Sequence, residues 1–218
     1  MSLYETAKFL VSSSNLGNLP AAGLPEIAFA GRSNAGKSTT INVLTRQGKL
    51  AYASKTPGRT QLINFFELAK KDPKTYERIP QAYLVDLPGY GFAKTTKDVR
   101  EAWSGFVGGY IANRSSLAGL VVVMDARRPF MPADEWLIDF MASRPASKMV
   151  WLLNKADQLR TVSERRDLIE SVKERAKTVP NEVSVQYFSG LKKTGVEELR
   201  ATLDGWLGIA SGSNGAAR

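Results

Sequence analysis

Eight consecutive residues, Gly31, Arg32, Ser33, Asn34, Ala35, Gly36, Lys37 and Ser38, place two glycines, a lysine and a hydroxyl at the spacing that cradles phosphate. Glycines let the backbone wrap close to an anion, and successive N–H groups opening a helix supply partial positive charge. In such a loop Lys37 is expected to bridge the terminal phosphates and Ser38 to ligate Mg²⁺. A second group, Asp86-Leu87-Pro88-Gly89, closes the apolar run "AYLVD". There Asp86 is expected to hold Mg²⁺ through water, and the Gly89 amide to meet a γ-phosphate. A third, Asn154-Lys155-Ala156-Asp157, follows "MVWLL". A carboxylate at Asp157 can accept both guanine N1–H and the exocyclic amino group, whereas adenine would leave it unpaired. Asn154 is expected to brace this loop against the phosphate loop, and the Lys155 stem to cover one face of the base. Phe188-Ser189-Gly190, after "VSVQY", offers backbone amides to guanine O6.

These groups work only if the chain brings them to one edge of a scaffold. Short β-branched segments, "EIAFA", "INFFEL", "AYLVD", "LVVVMD" and "MVWLLN", alternate with helical-period segments. That alternation predicts an α/β fold, with a mostly parallel sheet between helices on both faces. "INFFEL" and "AYLVD" are separated by "AKKDPKTYERIPQ", with no helix for a crossover. They should pair antiparallel and place one reversed strand at an edge. Helices are expected from about Asp98 to Ile111, from the Thr-x-x-Glu capping box at Thr161 to about Thr178, and from Gly195 to Trp206. In the last, Val196, Leu199, Leu203 and Trp206 form a core-facing stripe. The expected division is an N-terminal extension over 1–22 packing on a main domain over 23–208, and a frayed tail over 209–218.

Composition narrows the chemistry. The 218 residues contain neither cysteine nor histidine, which removes disulfides, thiolate nucleophiles and imidazole bases. Carboxylates, lysines, hydroxyls, backbone amides and bound metal remain, and the reducing cytosol is the expected compartment. "LAGLVVVM" and "MVWLL" are too short to cross a bilayer, and "MSLYETAKFLVSSSN" does not read as a signal peptide. A formal net charge of +9 favours an anionic partner, nucleic acid above all.

The ordered set "GRSNAGKS", "SKTPGRTQLINFF", "DLPGYGFAK", "NKAD" and "FSGLKKTGVEEL" resembles the EngB (YsxC, YihA) family of bacterial ribosome-biogenesis GTPases, within the TRAFAC class, from about Leu3 to Leu207. The resemblance implies a three-layer P-loop NTPase of the Ras-like G-domain type, with 23–208 as the G domain, and a Mg²⁺-dependent GTPase of the bacterial cytoplasm acting on the large ribosomal subunit or its precursor and linked to cell division and septation. A monomer is the default expectation. The same resemblance places the switch I threonine on Thr60, with Thr56 a competitor, inside the nucleotide-contacting run Gly58, Arg59, Thr60, Gln61 and Leu62. The residues expected to act in hydrolysis are then Lys37, Thr60 and Gly89, with Ser38, Thr60 and Asp86 at the metal. Asn34 matches the asparagine that potassium-activated relatives use to hold K⁺ beside the phosphates. Related GTPases often carry alanine where Gly190 stands; glycine should serve, with a looser loop.

Tyr90 stands where a water-orienting glutamine often follows the Gly89 position. A phenol is a poor base at neutral pH, so the ring is expected to take no proton and to leave intrinsic turnover slow. Two other readings compete: a regulator of cell division whose bound nucleotide matters more than its hydrolysis, and a P-loop kinase or ATPase, which the Asn154–Asp157 group disfavours. Lys70 with Lys71, Arg127 with Arg128, and Lys192 with Lys193 are the candidate ribosomal RNA contacts.

Overall fold

The computed structural model describes residues 2–52, 62–90 and 97–209, without side chains for 97–104. Seven strands form one sheet in the order β1-β3-β4-β2-β5-β6-β7. They are β1 (Lys8–Ser13), β2 (Glu26–Gly31), β3 (Ile63–Lys71), β4 (Arg78–Asp86), β5 (Leu117–Asp125), β6 (Lys148–Asn154) and β7 (Val183–Tyr187). The helices are α1 (Lys37–Leu44), α2 (Lys97–Asn113), α3 (Pro132–Ala142), α4 (Val162–Ala176) and α5 (Val196–Leu207).

Strands β4, β2, β5, β6 and β7 pair in parallel, and β3 runs antiparallel to β4 as the missing crossover helix requires. The reversed strand lies one place in from the edge, because β1 pairs antiparallel with its outer side. Sequence patterning gives no signal for β1: Phe9 and Leu10, adjacent in the chain, are both exposed, so no period of two is visible. Its entry is held instead by polar contacts. Gln47 donates to the Ala7 carbonyl (2.8 Å), Tyr4 donates to Asp204 (2.8 Å), and the Arg200 guanidinium lies over the Tyr4 ring.

The central strands read as unbroken apolar runs because both sheet faces are covered. Alternate residues of β2 divide between two cores: Ala28 and Ala30 face the side with Val107, Tyr110, Leu137, Met141 and Trp151, while Ile27 and Phe29 face Ile41, Leu44, Leu199 and Leu203. The helices thus flank the sheet on both sides. Their bounds differ by a residue or two from the sequence expectation: α4 ends at Ala176, with Thr161 at its N-cap accepting from the Glu164 amide (3.0 Å), and α5 begins after Gly195. The Glu164 carboxylate accepts from the Arg160 amide rather than from Thr161. The end of α2 is fixed to the start of β2 by the fully buried Glu26, which accepts from Tyr110 (2.8 Å) and Arg114 (2.8 Å). Among the described residues no helix is long and apolar enough to cross a membrane.

Candidate functional site

Parallel strands deliver their C-terminal ends to one edge of the sheet, and the four motifs lie there. The chain leaves β2 at Gly31 and enters α1 at Lys37 through a loop with Asn34 (φ 65°) and Gly36 (φ 98°) in left-handed conformations. Gly36 is demanded twice over: its φ disfavours a side chain, and a Cβ there would stand 2.2 Å from the Asn154 amide nitrogen. That amide donates to the Ala35 carbonyl (2.8 Å), and the Asn154 carbonyl oxygen accepts from the Lys155 N–H (2.8 Å). One buried side chain therefore ties the β6 loop to the phosphate loop. Lys155, itself left-handed (φ 60°), extends its ammonium to the Asn34 carbonyl (2.7 Å) and to Asp125 (2.9 Å). Asp125 also pairs with Arg127; these hydrogen bonds, Arg127 first, hold its carboxyl well below the usual carboxylate range.

Asp86 ends β4 almost wholly buried and forms an ion pair with Lys37. Behind it, the Leu87 amide donates to Phe29 (3.0 Å), which carries the chain onto the phosphate loop. A Cβ at Gly89 would lie 3.6 Å from the Gly31 carbonyl oxygen and 3.7 Å from the Ser33 nitrogen, so the Gly89 backbone rests against the loop itself. Pro88 lies between these two contacts, half-buried. Tyr90 then pairs with the loop: Ser33 N–H donates to the Tyr90 carbonyl (3.1 Å) and Tyr90 N–H to Gly31 (3.4 Å).

The Tyr90 ring is buried in the core with Ala30, Val107 and Leu137. Its hydroxyl donates to Asp134 of α3 (3.0 Å), and burial pushes the phenol well above its ordinary value. Water-orienting chemistry is thus foreign to this side chain. Asp134 also accepts from Arg32 (2.9 Å), whose guanidinium reaches on to the Arg128 carbonyl (2.8 Å). Sequence reasoning passes over Asp134, which reads only as an acidic residue in the first turn of a helix. Its tyrosine and arginine partners lie 44 and 102 residues away, beyond any local motif.

On the base side, Ala156 and Asp157 open a short 3-10 turn, and Ser189 donates its hydroxyl to Asp157. The Ala156 amide donates to Phe188 (3.1 Å) and the Phe188 amide to Leu153 (2.9 Å), locking the β6 and β7 loops together. Gly190 faces Thr39 of α1: a Cβ would stand 2.6 Å from Thr39 Cγ2. The glycine here answers a steric demand, which the sequence reading treats as a matter of loop looseness.

Leu62 is exposed, just before β3. Thr56, Gly58, Arg59, Thr60 and Gln61 lie outside the described residues. The metal donors that are described, the Ser38 hydroxyl and the Asp86 carboxylate, are hard oxygen ligands, and the chain has no histidine or cysteine. That donor set suits Mg²⁺ and is wrong for zinc or copper.

A family model described as "50S ribosome-binding GTPase" matches residues 26–155. A "Probable GTP-binding protein EngB" from Cupriavidus taiwanensis is 43% identical over 217 residues, covering 96% of this chain and 88% of its own. The protein of that name from Ralstonia nicotianae is 46% identical over 213 residues, covering 95% and 88%. A crystal structure of a probable GTP-binding protein engB superposes with a TM-score of 0.59 at 25% identity, over 84% of this chain and 98% of that one. Era from Aquifex aeolicus, bound to GDP and AlF4⁻, superposes with a TM-score of 0.62 over 84% of this chain and 56% of its own. At 19% identity, Era shares the fold alone. With a family model over more than half its length and relatives above 40% identity across nearly all of it, the chain belongs to the EngB family of GTP-binding proteins.

Proposed function

We propose that this protein is a GTP-hydrolysing switch that acts in assembly of the large ribosomal subunit in the bacterial cytoplasm, with normal cell division and septation depending on that role. The observation that carries the nucleotide part is the hydrogen bond from Asn154 to the Ala35 carbonyl. It ties the Asn154–Asp157 loop, read as the base-binding loop, to the loop read as the phosphate cradle. The match to a ribosome-binding GTPase family supports the partner.

The residues divide the work by position. Amides of Ser33 to Ser38 line the phosphates, Asp157 accepts the guanine donors, and the Phe188–Gly190 loop faces O6. Lys37 is paired with Asp86 in this structure. Lys37 reaches the β- and γ-phosphate oxygens, and the Gly89 amide, which rests against the loop, meets the γ-phosphate. Ser38, Thr60 and Asp86, the last through water, would hold Mg²⁺, which when bound neutralises charge on the β- and γ-phosphate oxygens. Tyr90 does not serve as a general base, since it is turned into the core and burial pushes its phenol well above its ordinary value. Turnover is therefore slow alone. Asn34, exposed on the loop, would hold K⁺ beside the phosphates, and the ribosomal partner would complete the rest.

The test is GTP turnover in potassium and in sodium buffers, alone and with purified large subunits. Stimulation of tenfold or more by subunits is expected, with a further gain in potassium. Intact GTP binding with turnover that subunits do not raise would shift the function to the bound nucleotide state itself. Asp157→Asn provides the specificity arm: it should weaken GTP roughly 100-fold and improve XTP, whose 2-oxo group accepts where guanine donates. Equal ATP and GTP affinity in the wild type would overturn the guanine assignment.

A further inference from the structure

Three elements converge on one carboxylate. Asp134 is fully buried; its Oδ1 accepts from the Tyr90 hydroxyl (3.0 Å) and its Oδ2 from Arg32 Nε (2.9 Å) and the Met131 amide (3.1 Å). The two distant partners are not arbitrary. Arg32 is the second residue of the Gly31–Ser38 loop, and Tyr90 directly follows Gly89, the glycine assigned above to the γ-phosphate. Both are also joined through their main chains, by the Ser33 to Tyr90 and Tyr90 to Gly31 hydrogen bonds. The side-chain triangle thus closes a ring around the Gly89–Tyr90 peptide. Arg32 is secured further by its bond to the Arg128 carbonyl (2.8 Å), so one corner of the triangle is itself braced.

We propose that Asp134 is a positioning residue for nucleotide discrimination: through Tyr90 and Arg32 it holds the Gly89 amide against the phosphate loop before nucleotide arrives, and so favours GTP over GDP. This rests on the reading that Gly89 meets the γ-phosphate. A peptide that must be ordered at the moment of binding subtracts its ordering cost from affinity, whereas one held in place does not. GDP has no group at that position and gains nothing from the arrangement. The residue after Gly89 therefore acts by holding its neighbour, from the core side, where a glutamine would act on water.

A merely structural ion pair makes a different prediction from a positioning one. Tyr90→Phe keeps the ring packing and removes only the hydroxyl; Asp134→Asn keeps an acceptor for Tyr90 and removes the charge facing Arg32. Affinities for GDP and for a non-hydrolysable GTP analogue would be measured by calorimetry for the wild type and both variants, with urea midpoints alongside. In Tyr90→Phe the GTP analogue is expected to weaken about tenfold while GDP stays within twofold, and Asp134→Asn should show the same selective loss to a smaller degree. Equal weakening of both nucleotides, tracking a lowered urea midpoint, would overturn the proposal and leave a structural pair. Unchanged selectivity in both variants would also overturn it. A wild type without preference for guanine over adenine nucleotides would overturn the underlying site reading as well, a result distinct from selective failure in the variants.

Discussion

Thr39 and Gly190 meet where the first turn of α1 passes the loop after β7, with no room for a methyl group between them. Alanine at 190 would force Thr39, exposed and β-branched, out of its present rotamer at a cost of about 1 kcal/mol. On the proposal that this loop meets guanine O6, Gly190→Ala is expected to weaken GDP about fivefold, and adding Thr39→Ser, which deletes the obstructing carbon, should restore it to within twofold. Fluorescence titration of the two single variants and the double variant closes the cycle. Equal affinities for wild type and Gly190→Ala would show that Thr39 yields freely. The contiguous motifs at Gly31–Ser38, Asp86–Gly89 and Asn154–Asp157 are legible in sequence because each packs its chemistry into a few adjacent residues. Pairs such as Thr39 with Gly190, or Tyr90 with Asp134, are not. They are made by the fold between residues far apart in the chain, and neither partner's type alone announces the other.

Among the elements, α5 shows how far a period carries and where it stops. Val196, Leu199 and Leu203 are buried, as a stripe at three- and four-residue spacing dictates. What Trp206 packs on is a different matter: its ring covers Gly119 of β5, and a Cβ there would lie 2.5 Å from ring carbons. "LAGLVVVM" reads as a buried strand with or without that glycine, so the seat for the indole is invisible until the helix is placed. Gly119→Ala should overpack this contact and destabilise the fold by about 1–3 kcal/mol. Urea unfolding measures it, with nucleotide affinity per folded molecule kept, since the contact lies on the helix face remote from the strand ends that hold the site. A paired Trp206→Leu should recover part of the loss. Strand β1 marks the opposite limit. Phe9 and Leu10 face solvent while Val11 packs on the core, its partner β3 begins fifty residues later, and only the pairing itself reveals it as a strand.

At the scale of the molecule, the +9 charge is unevenly available to a partner. Arg127 is paired with Asp125, and Arg32 with Asp134, so neither is open to a phosphate backbone without exchange. Lys70 and Lys71 end β3, and the register that sets Asn64 opposite Asp86 sets Lys71 opposite Arg78, at the end of the sheet away from the site. Lys192 and Lys193 are exposed beside the base loop, where the Lys192 amide donates to Ser189 (3.0 Å). The two pairs lie at opposite ends of the strands, one on β3 and one after β7 five places across the sheet, so they sample different parts of any large partner. The pair beside the nucleotide is the one whose contact can depend on which nucleotide is bound. Reversing it, as Lys192→Glu with Lys193→Glu, should lower the slope of log affinity for large subunits against log salt by about two, and should flatten the difference between the GDP and GTP-analogue forms. GDP affinity should stay within about threefold, because on the proposed site this loop meets nucleotide through its main chain. The same reversal at Lys70 and Lys71 should leave the nucleotide dependence intact whatever it does to the slope. Salt-series sedimentation with purified subunits distinguishes these outcomes. An unchanged slope for both pairs would move the ribosome-facing surface away from these lysines altogether.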